Sequence, residues 1–270
     1  MIAAAAALLE TLARRELPAE SVALVWLGQA SFALRIGGTT VLIDPFLSAH
    51  PERLVPPPFA ATDARSVDLV LITHDHLDHL DDDAVRGISA ASPEAAFIVP
   101  EEVVDRMTQV GVDSGRVRGL TAEGRAELGG VSVDAVPAAH GVTMEDAYRL
   151  GPFLGYVLSA GGVRVYHAGD TVPFDGLVER LREVSVHLAL LPINGRDDAR
   201  EAEGIVGNLD AQEAAQLAAE IGAEAAVPMH WDMFAGNPGD PAAFVSASQT
   251  PVIVLRHARP FVYTIAESAG

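Results

Sequence analysis

The sequence predicts a single α/β domain of two stacked sheets with helices outside, and three observations predict it. Glycine pairs separate short apolar runs in the first half, which is the pattern of antiparallel hairpins. The runs DLVLIT at 68–73 and HLALLP at 187–192 are apolar without alternation, as strands buried on both faces are. Helical spacing alternates with strand-like runs in the second half, and no repeat or low-complexity linker divides the 270 residues. An α/β unit reaches this length as one domain, so one domain over 1–270 is expected.

The elements follow in order. Leu8, Leu9, Leu12 and Arg15 are spaced for a surface helix, and the Ala-rich stretch before them lacks the basic start of a signal peptide. Runs 22–27 and 32–36 read as strands, and Gly37-Gly38 turns the second into 40–43, which ends at Asp44-Pro45. The Pro-rich segment 51–58 reads as a loop, either a connector or a lid. After 68–73 come a strand at 97–99 and a helix at 101–110. Strands 126–128 and 131–136 flank Gly129-Gly130, and strands 156–159 and 163–167 flank Gly161-Gly162. A helix at 174–183 precedes the buried run 187–192. Asp210 caps a helix at 211–221, with Glu213 completing a capping box. Strands at 225–229, 252–255 and 261–265 close the chain.

Composition removes several functions. The chain is 49 % hydrophobic and 20 % charged, enough for a sizeable core. Its 18 basic residues are all Arg, and its net charge is −19. Such a surface repels phosphate backbones, so a nucleic-acid partner is disfavoured. Without Lys there is no Schiff-base chemistry and no P-loop. Without Cys there is no disulfide, thiolate nucleophile or cysteine–zinc site. No apolar run reaches the roughly 18 residues of a membrane span. The absence of Cys fits a reducing compartment, and with an N-terminus unlike a signal peptide it makes a cytoplasmic protein the expectation.

Directly after the buried run stands Thr73-His74-Asp75-His76-Leu77-Asp78-His79. A His-x-His-x-Asp-His pattern arises by chance in about one of a thousand chains of this composition. A loop leaving a strand aims alternate side chains at one point, so His74 and His76 can share an ion. Asp78 and His79, one turn on, can serve a second. Imidazole and carboxylate suit Zn²⁺, Mn²⁺ or Fe. The bland alternative is a polar turn with incidental histidines. Two ions need more donors, and His140, Asp170 and His230 each stand at or just past an expected strand end, where α/β sites gather. Singly, each reads as a structural histidine or a turn Asp. Beside the motif they read as ligands.

The set His74, His76, Asp78, His79, His140, Asp170 and His230 resembles the metallo-β-lactamase superfamily, over residues 25–244. The resemblance implies an αββα sandwich and two divalent metal ions. It assigns His74, His76 and His140 to the first ion, Asp78, His79 and His230 to the second, and Asp170 to both. Asp44 matches a carboxylate found beside the motif loop in that family. A narrower similarity, to the L-ascorbate-6-phosphate lactonase-like group, rests on LGQAS at 27–31, PINGRD at 192–197, GNLD at 207–210 and MHWDMF at 229–234. It implies Zn or Mn dependence and a homo-oligomer. In such a site a shared water falls toward a pKa of ~7, and the hydroxide opens a sugar (phosphate) lactone. Asp78 and Asp170 are the expected catalytic carboxylates, orienting that water.

Other residues invite roles. His167 is a candidate to hydrogen-bond a ligand. Asn194 and Asp232 are candidate substrate contacts, and Arg196 and Arg200 candidate phosphate binders. The alternative is a packed structural histidine for His167, loop stabilisation for Asn194 and Asp232, and solvated loop charges for the two Arg. Trp231 and Phe234 either wall the pocket or pack in the core, and His50, His187 and His257 receive no role. Three functions compete: a lactonase acting on a small-molecule substrate, a metal-dependent phosphodiesterase, and a non-catalytic metal-binding sensor or scaffold. The full donor set argues against the last. The acidic composition, without a basic amphipathic segment, argues against a membrane partner.

Overall fold

The computed structural model describes residues 2–265. Helix α1 (Ile2–Ala13) leads into a sheet of β1 (Ser21–Gly28), β2 (Ser31–Ile36), β3 (Thr39–Ile43), β4 (Leu69–Leu71), β5 (Ala96–Pro100) and β6 (Val117–Leu120), side by side in chain order. A second sheet holds β7 (Arg125–Leu128), β8 (Val131–His140), β9 (Arg149–Ala160), β10 (Val163–His167), β11 (Leu188–Pro192) and β12 (Ala225–Met229). Strand β13 (Pro260–Thr264) returns to pair antiparallel with β1.

Each sheet starts as hairpins and ends in parallel strands, from β3 to β6 and from β10 to β12. Parallel neighbours need crossovers. Helices α2 (Asp82–Ala91), α3 (Val104–Val110), α4 (Leu177–Val184), α5 (Asp198–Ala202) and α6 (Ala211–Glu220) lie in these connections, and α7 (Pro241–Ala247) follows β12.

Period-two alternation sorts the side chains into layers. Val22, Leu24, Phe32 and Leu34 join Val133, Tyr156 and Leu158 in the core between the sheets. The intervening Ala23, Val25 and Ala33 pack instead with Leu9 of α1, Ile88 of α2 and Met107 of α3. Leu181 of α4, Leu217 of α6 and Phe244 of α7 pack on the second sheet. The result is the αββα sandwich. Among the described residues no helix is long and apolar enough to cross a membrane.

Several elements depart from the sequence reading. Helix α2 was signalled by Asp81, whose side chain accepts from the Ala84 amide, and by Asp82 and Asp83 in its first turn. Strand β9 already begins at Arg149: Gly151 and Pro152, which look like breakers, are absorbed in a bulge of β9 itself, where four steps from Leu154 to Leu150 oppose two steps of β8 from Pro137 to Ala139. Strand β6 and helices α5 and α7 are also additions. The expected helix at 101–110 is a 3₁₀ turn (Glu101–Val103) followed by α3. Helix α4 starts only at Leu177, behind Gly176 at φ +94°. The expected strand 252–255 is reduced to one bridge, Val252 to Ala226, and Val254 faces solvent.

Candidate metal centre

The site is assembled from strand ends. His74 follows β4, His140 ends β8, Asp170 follows β10, and His230 follows β12. His74, His76, His140 and Asp170 offer ligand atoms within 4.8 Å of one another, and Asp78, His79 and His230 form a second such group. Asp170 stands between them. Its Oδ1 lies 3.3 Å from His79 Nε2, and its Oδ2 lies 3.6 Å from His140 Nε2 and 3.4 Å from His230 Nε2. All seven side chains expected as ligands therefore converge.

The donors fit a cation. His79 Nε2 and Asp170 Oδ1 are buried, lie 3.3 Å apart and make no well-formed hydrogen bond. A cation between them would satisfy both. Imidazole rings also crowd together, with His74 and His79 centroids 4.0 Å apart and His74 and His76 4.6 Å apart. Nitrogen and carboxylate donors without thiolate suit Zn²⁺ or Mn²⁺.

The surroundings aim these groups. Asp44 Oδ2 accepts from His79 Nδ1 at 2.7 Å and from Thr73 Oγ1 at 2.7 Å, and its Oδ1 accepts from the Thr73 amide. The imidazole is thereby fixed with Nε2 toward the cluster. Gln29 donates from Nε2 to Asp78 Oδ2 at 2.7 Å, while its carbonyl accepts from the His230 amide. Asp44, Gln29 and His230 have φ of +44°, +53° and +60°, a left-handed backbone that costs non-glycine residues energy and gathers at functional sites. Gly169 is required before Asp170, because its φ is +61° and a Cβ there would meet the Leu154 carbonyl at 2.7 Å.

Charge divides the histidines. Burial opposes a charge on His79, but Asp170, Asp78 and Asp44 outweigh it and hold the ring well above its ordinary value. Burial and the same contest with Asp170 and Asp78 leave His230 at about 9. His74 has no such surplus of carboxylates, so burial, with His79 and His76 adding, holds it well below. Burial takes His140 to about 3, against Asp170. Asp170 is buried too, but His230 and His79 keep it ionised.

Outside the seven, sequence proximity misled. His167 touches no ligand candidate in its hydrogen bonds: its Nε2 donates to the Ala30 carbonyl and its Nδ1 accepts from the Gly169 amide. Asp232 accepts from the Gln29 amide and steadies that turn. Asn194 is buried and bonded to Asn208 and Asn237. Arg196 is held bidentately by Glu213 at 2.7 Å, and Arg200 pairs with Asp197 at 2.6 Å. Neither is an open phosphate binder. Trp231 stacks on Trp26. Gln29 was missed as a site residue, although Gly28-Gln29 at a strand end was a turn signal.

A cavity of about 170 Å³ opens over His76, Asp78, Asp170 and His230, with Val142, Ile205, Val206 and Asn237 around it. A sandwich with such a donor cluster at its strand ends defines a metal-dependent hydrolase class, and residues 39–231 match the family model described as Beta-lactamase superfamily domain. The chain is 35 % identical over 238 residues to a UPF0173 metal-dependent hydrolase of Aeropyrum pernix, covering 82 % of this chain and 87 % of that one. A relative of the same description from Methanopyrus kandleri is 34 % identical over 227 residues, covering 82 % and 89 %. The solved structure of Igni18, a metallo hydrolase from Ignicoccus hospitalis, superposes with a TM-score of 0.72 at 27 % identity, over 91 % of this chain and 100 % of that one. The chain belongs to the UPF0173 metal-dependent hydrolase family of the metallo-β-lactamase superfamily.

Proposed function

We propose that the chain is a dinuclear metal-dependent hydrolase that opens a lactone. The observation that supports it is the Asp170 carboxylate, which lies between two groups of candidate donors. His74, His76 and His140 would hold one ion, Asp78, His79 and His230 the other, and Asp170 would be shared. Bound divalent ions supply Lewis acidity and lower the pKa of water. The chain's residues do the rest. Asp44 and Gln29 hold His79 and Asp78 in place. Asp78 and Asp170 present carboxylate oxygens to the cavity, where they can accept from a reacting water and orient it. Val142, Ile205 and Val206 shield those charges from bulk water.

A carbonyl substrate is favoured over a phosphodiester. Among the described residues no Arg lines the metal cavity, and Arg196 and Arg200 are committed to Glu213 and Asp197. The same point favours an uncharged lactone over a phosphorylated one. The test is elemental analysis of Mn²⁺- or Zn²⁺-loaded protein, followed by assay on a lactone panel and on bis(p-nitrophenyl) phosphate. Two ions per chain with lactone hydrolysis is the expected result. Turnover of the phosphodiester alone would transfer the chain to that class. No turnover at full loading would leave a metal-binding sensor or scaffold.

A further inference from the structure

The metal cavity adjoins a larger cleft. Asp78, Ile205 and Asn237 line both, and the second space measures about 630 Å³, a size that suits a small molecule. Its apolar wall is Leu54 from the 51–58 loop, Leu77 from the motif loop, Ile205 and Phe234. Leu54 and Leu77 are 61 % and 55 % exposed, large apolar side chains left in water beside the donor cluster. Phe234 is braced against Phe46 and His50, with ring centroids at 6.2 and 5.6 Å, so this wall is preformed.

The charges in the cleft disfavour an anion. Glu52 and Glu203 line it. Arg53 lines it as well, but its guanidinium is turned inward. Nε donates to the Val55 carbonyl at 2.6 Å, Nη1 donates to the Phe46 carbonyl at 2.8 Å, and Nη2 is buried from solvent.

One polar group stands where the two spaces meet. Asn237 Oδ1 accepts from Arg200 Nη1 at 2.8 Å and from Asn194 Nδ2 at 3.0 Å. Two donors on the oxygen fix which way the carboxamide faces. Its Nδ2 is then the end left to donate.

We infer that the cleft binds an uncharged substrate carrying an apolar substituent, with the substituent between Leu54, Leu77 and Phe234 and an ester oxygen taking a hydrogen bond from Asn237 Nδ2. The substrate class rests on the hydrolytic reading of the adjoining site. Arg200 and Asn194 act as positioning residues for Asn237.

Three probes test it with Mn²⁺-loaded protein: δ-valerolactone, δ-undecalactone with its six-carbon tail, and 6-phosphoglucono-δ-lactone. Burial is worth about fourfold per methylene, so a partly buried tail raises kcat/KM by at least about thirtyfold over the bare ring. The phosphorylated lactone falls below both. Leu54→Glu lowers the ratio of tailed to bare substrate by about tenfold or more. Asn237→Asp keeps an acceptor for Arg200 and removes the donor. It lowers kcat/KM for both rings by a similar factor of about ten, with metal content unchanged. Equal rates for the two uncharged rings, fastest turnover of the phosphorylated one, or a ratio that ignores Leu54→Glu overturns the inference. A ketone that cannot be hydrolysed, 2-hexylcyclohexanone, tests the cleft separately by calorimetry. Binding weakened by Leu54→Glu, without turnover of any lactone, would uphold the cleft and sink the hydrolytic reading. No binding of the ketone to the wild type would sink the cleft itself.

Discussion

Asp44 Oδ2 lies 2.7 Å from His79 Nδ1, and both side chains are fully buried. This pair decides which nitrogen of His79 is left for the cluster. Nδ1 carries the proton toward the carboxylate, and Nε2 faces Asp170 at 3.3 Å. Asp44 has no freedom to do otherwise, because the Thr73 amide and hydroxyl hold its two oxygens. Carboxylates placed behind a ligating imidazole typically contribute 10–100-fold to metal affinity. Asp44→Asn is therefore expected to weaken the Asp78, His79 and His230 group by about that factor. After dialysis, elemental analysis should find about one ion per chain fewer than in the wild type. Equal retention in both proteins would remove Asp44 from this role.

The two donor groups should also fill differently with pH. In the metal-free cluster, surrounding carboxylates hold His79 well above its ordinary value and His230 at about 9, so both are protonated at neutral pH. Burial holds His74 well below its ordinary value and His140 at about 3, so both are neutral there. An ion must displace protons from the first pair and none from the second. As pH falls from 9, the Asp78, His79 and His230 group is thus expected to lose affinity first. Calorimetry in buffers of different ionisation enthalpy should show more protons released at pH 7 with the second equivalent than with the first. Equal release at both steps would contradict this order.

Gly169 sets the position of Asp170. A Cβ there meets the Leu154 carbonyl at 2.7 Å and Thr73 Cβ at 3.0 Å, in a left-handed backbone. Gly169→Ala is expected to cost about 1–3 kcal/mol in urea unfolding, from strain alone. The displaced Asp170 should lower the retention of both ions, since it lies between the two groups. Unchanged stability and metal content would show that the turn can move.

The convergence of the seven candidate ligands was legible in the sequence for a physical reason. Few residue types bind transition metals, and strand ends are where an α/β sandwich can bring remote segments together. His140, Asp170 and His230 could thus be picked out without knowing which way they point. Direction is what the sequence withholds. Arg196 and Asp232 adjoin segments of the site, yet one turns to Glu213 and the other to the Gln29 amide. Gln29 reaches Asp78 across 49 positions of chain, and no local pattern announces that contact. The fold divides the same way. Hairpins around paired glycines were readable, while β6, with Arg118 and Gly119 at a sheet edge, carried neither alternation nor an apolar run.

His167 allows a test of how the neighbouring loops are held. It is fully buried between the Ala30 carbonyl, which takes its Nε2 proton at 2.8 Å, and the Gly169 amide, which donates to Nδ1 at 3.1 Å. Both bonds are satisfied only by the neutral ring, because a second proton on Nδ1 would face the Gly169 N–H. Burial accordingly holds its pKa below the ordinary value. In the unfolded chain the ring titrates near ~6.5, so below that pH the unfolded state binds the extra proton. The folded state therefore loses stability as pH falls below about 6.5, by up to about 1.4 kcal/mol per pH unit for this one group. His167→Gln cannot titrate. It is expected to be less stable at pH 8 by about 1–3 kcal/mol, from an imperfect bond to Ala30 or Gly169. The gap to the wild type should then narrow as pH is lowered from 7 to 5, read by urea unfolding at each pH. The other histidines are common to both proteins and cancel in that difference. A gap that stays constant across the range would mean that His167 titrates as it does in the unfolded chain.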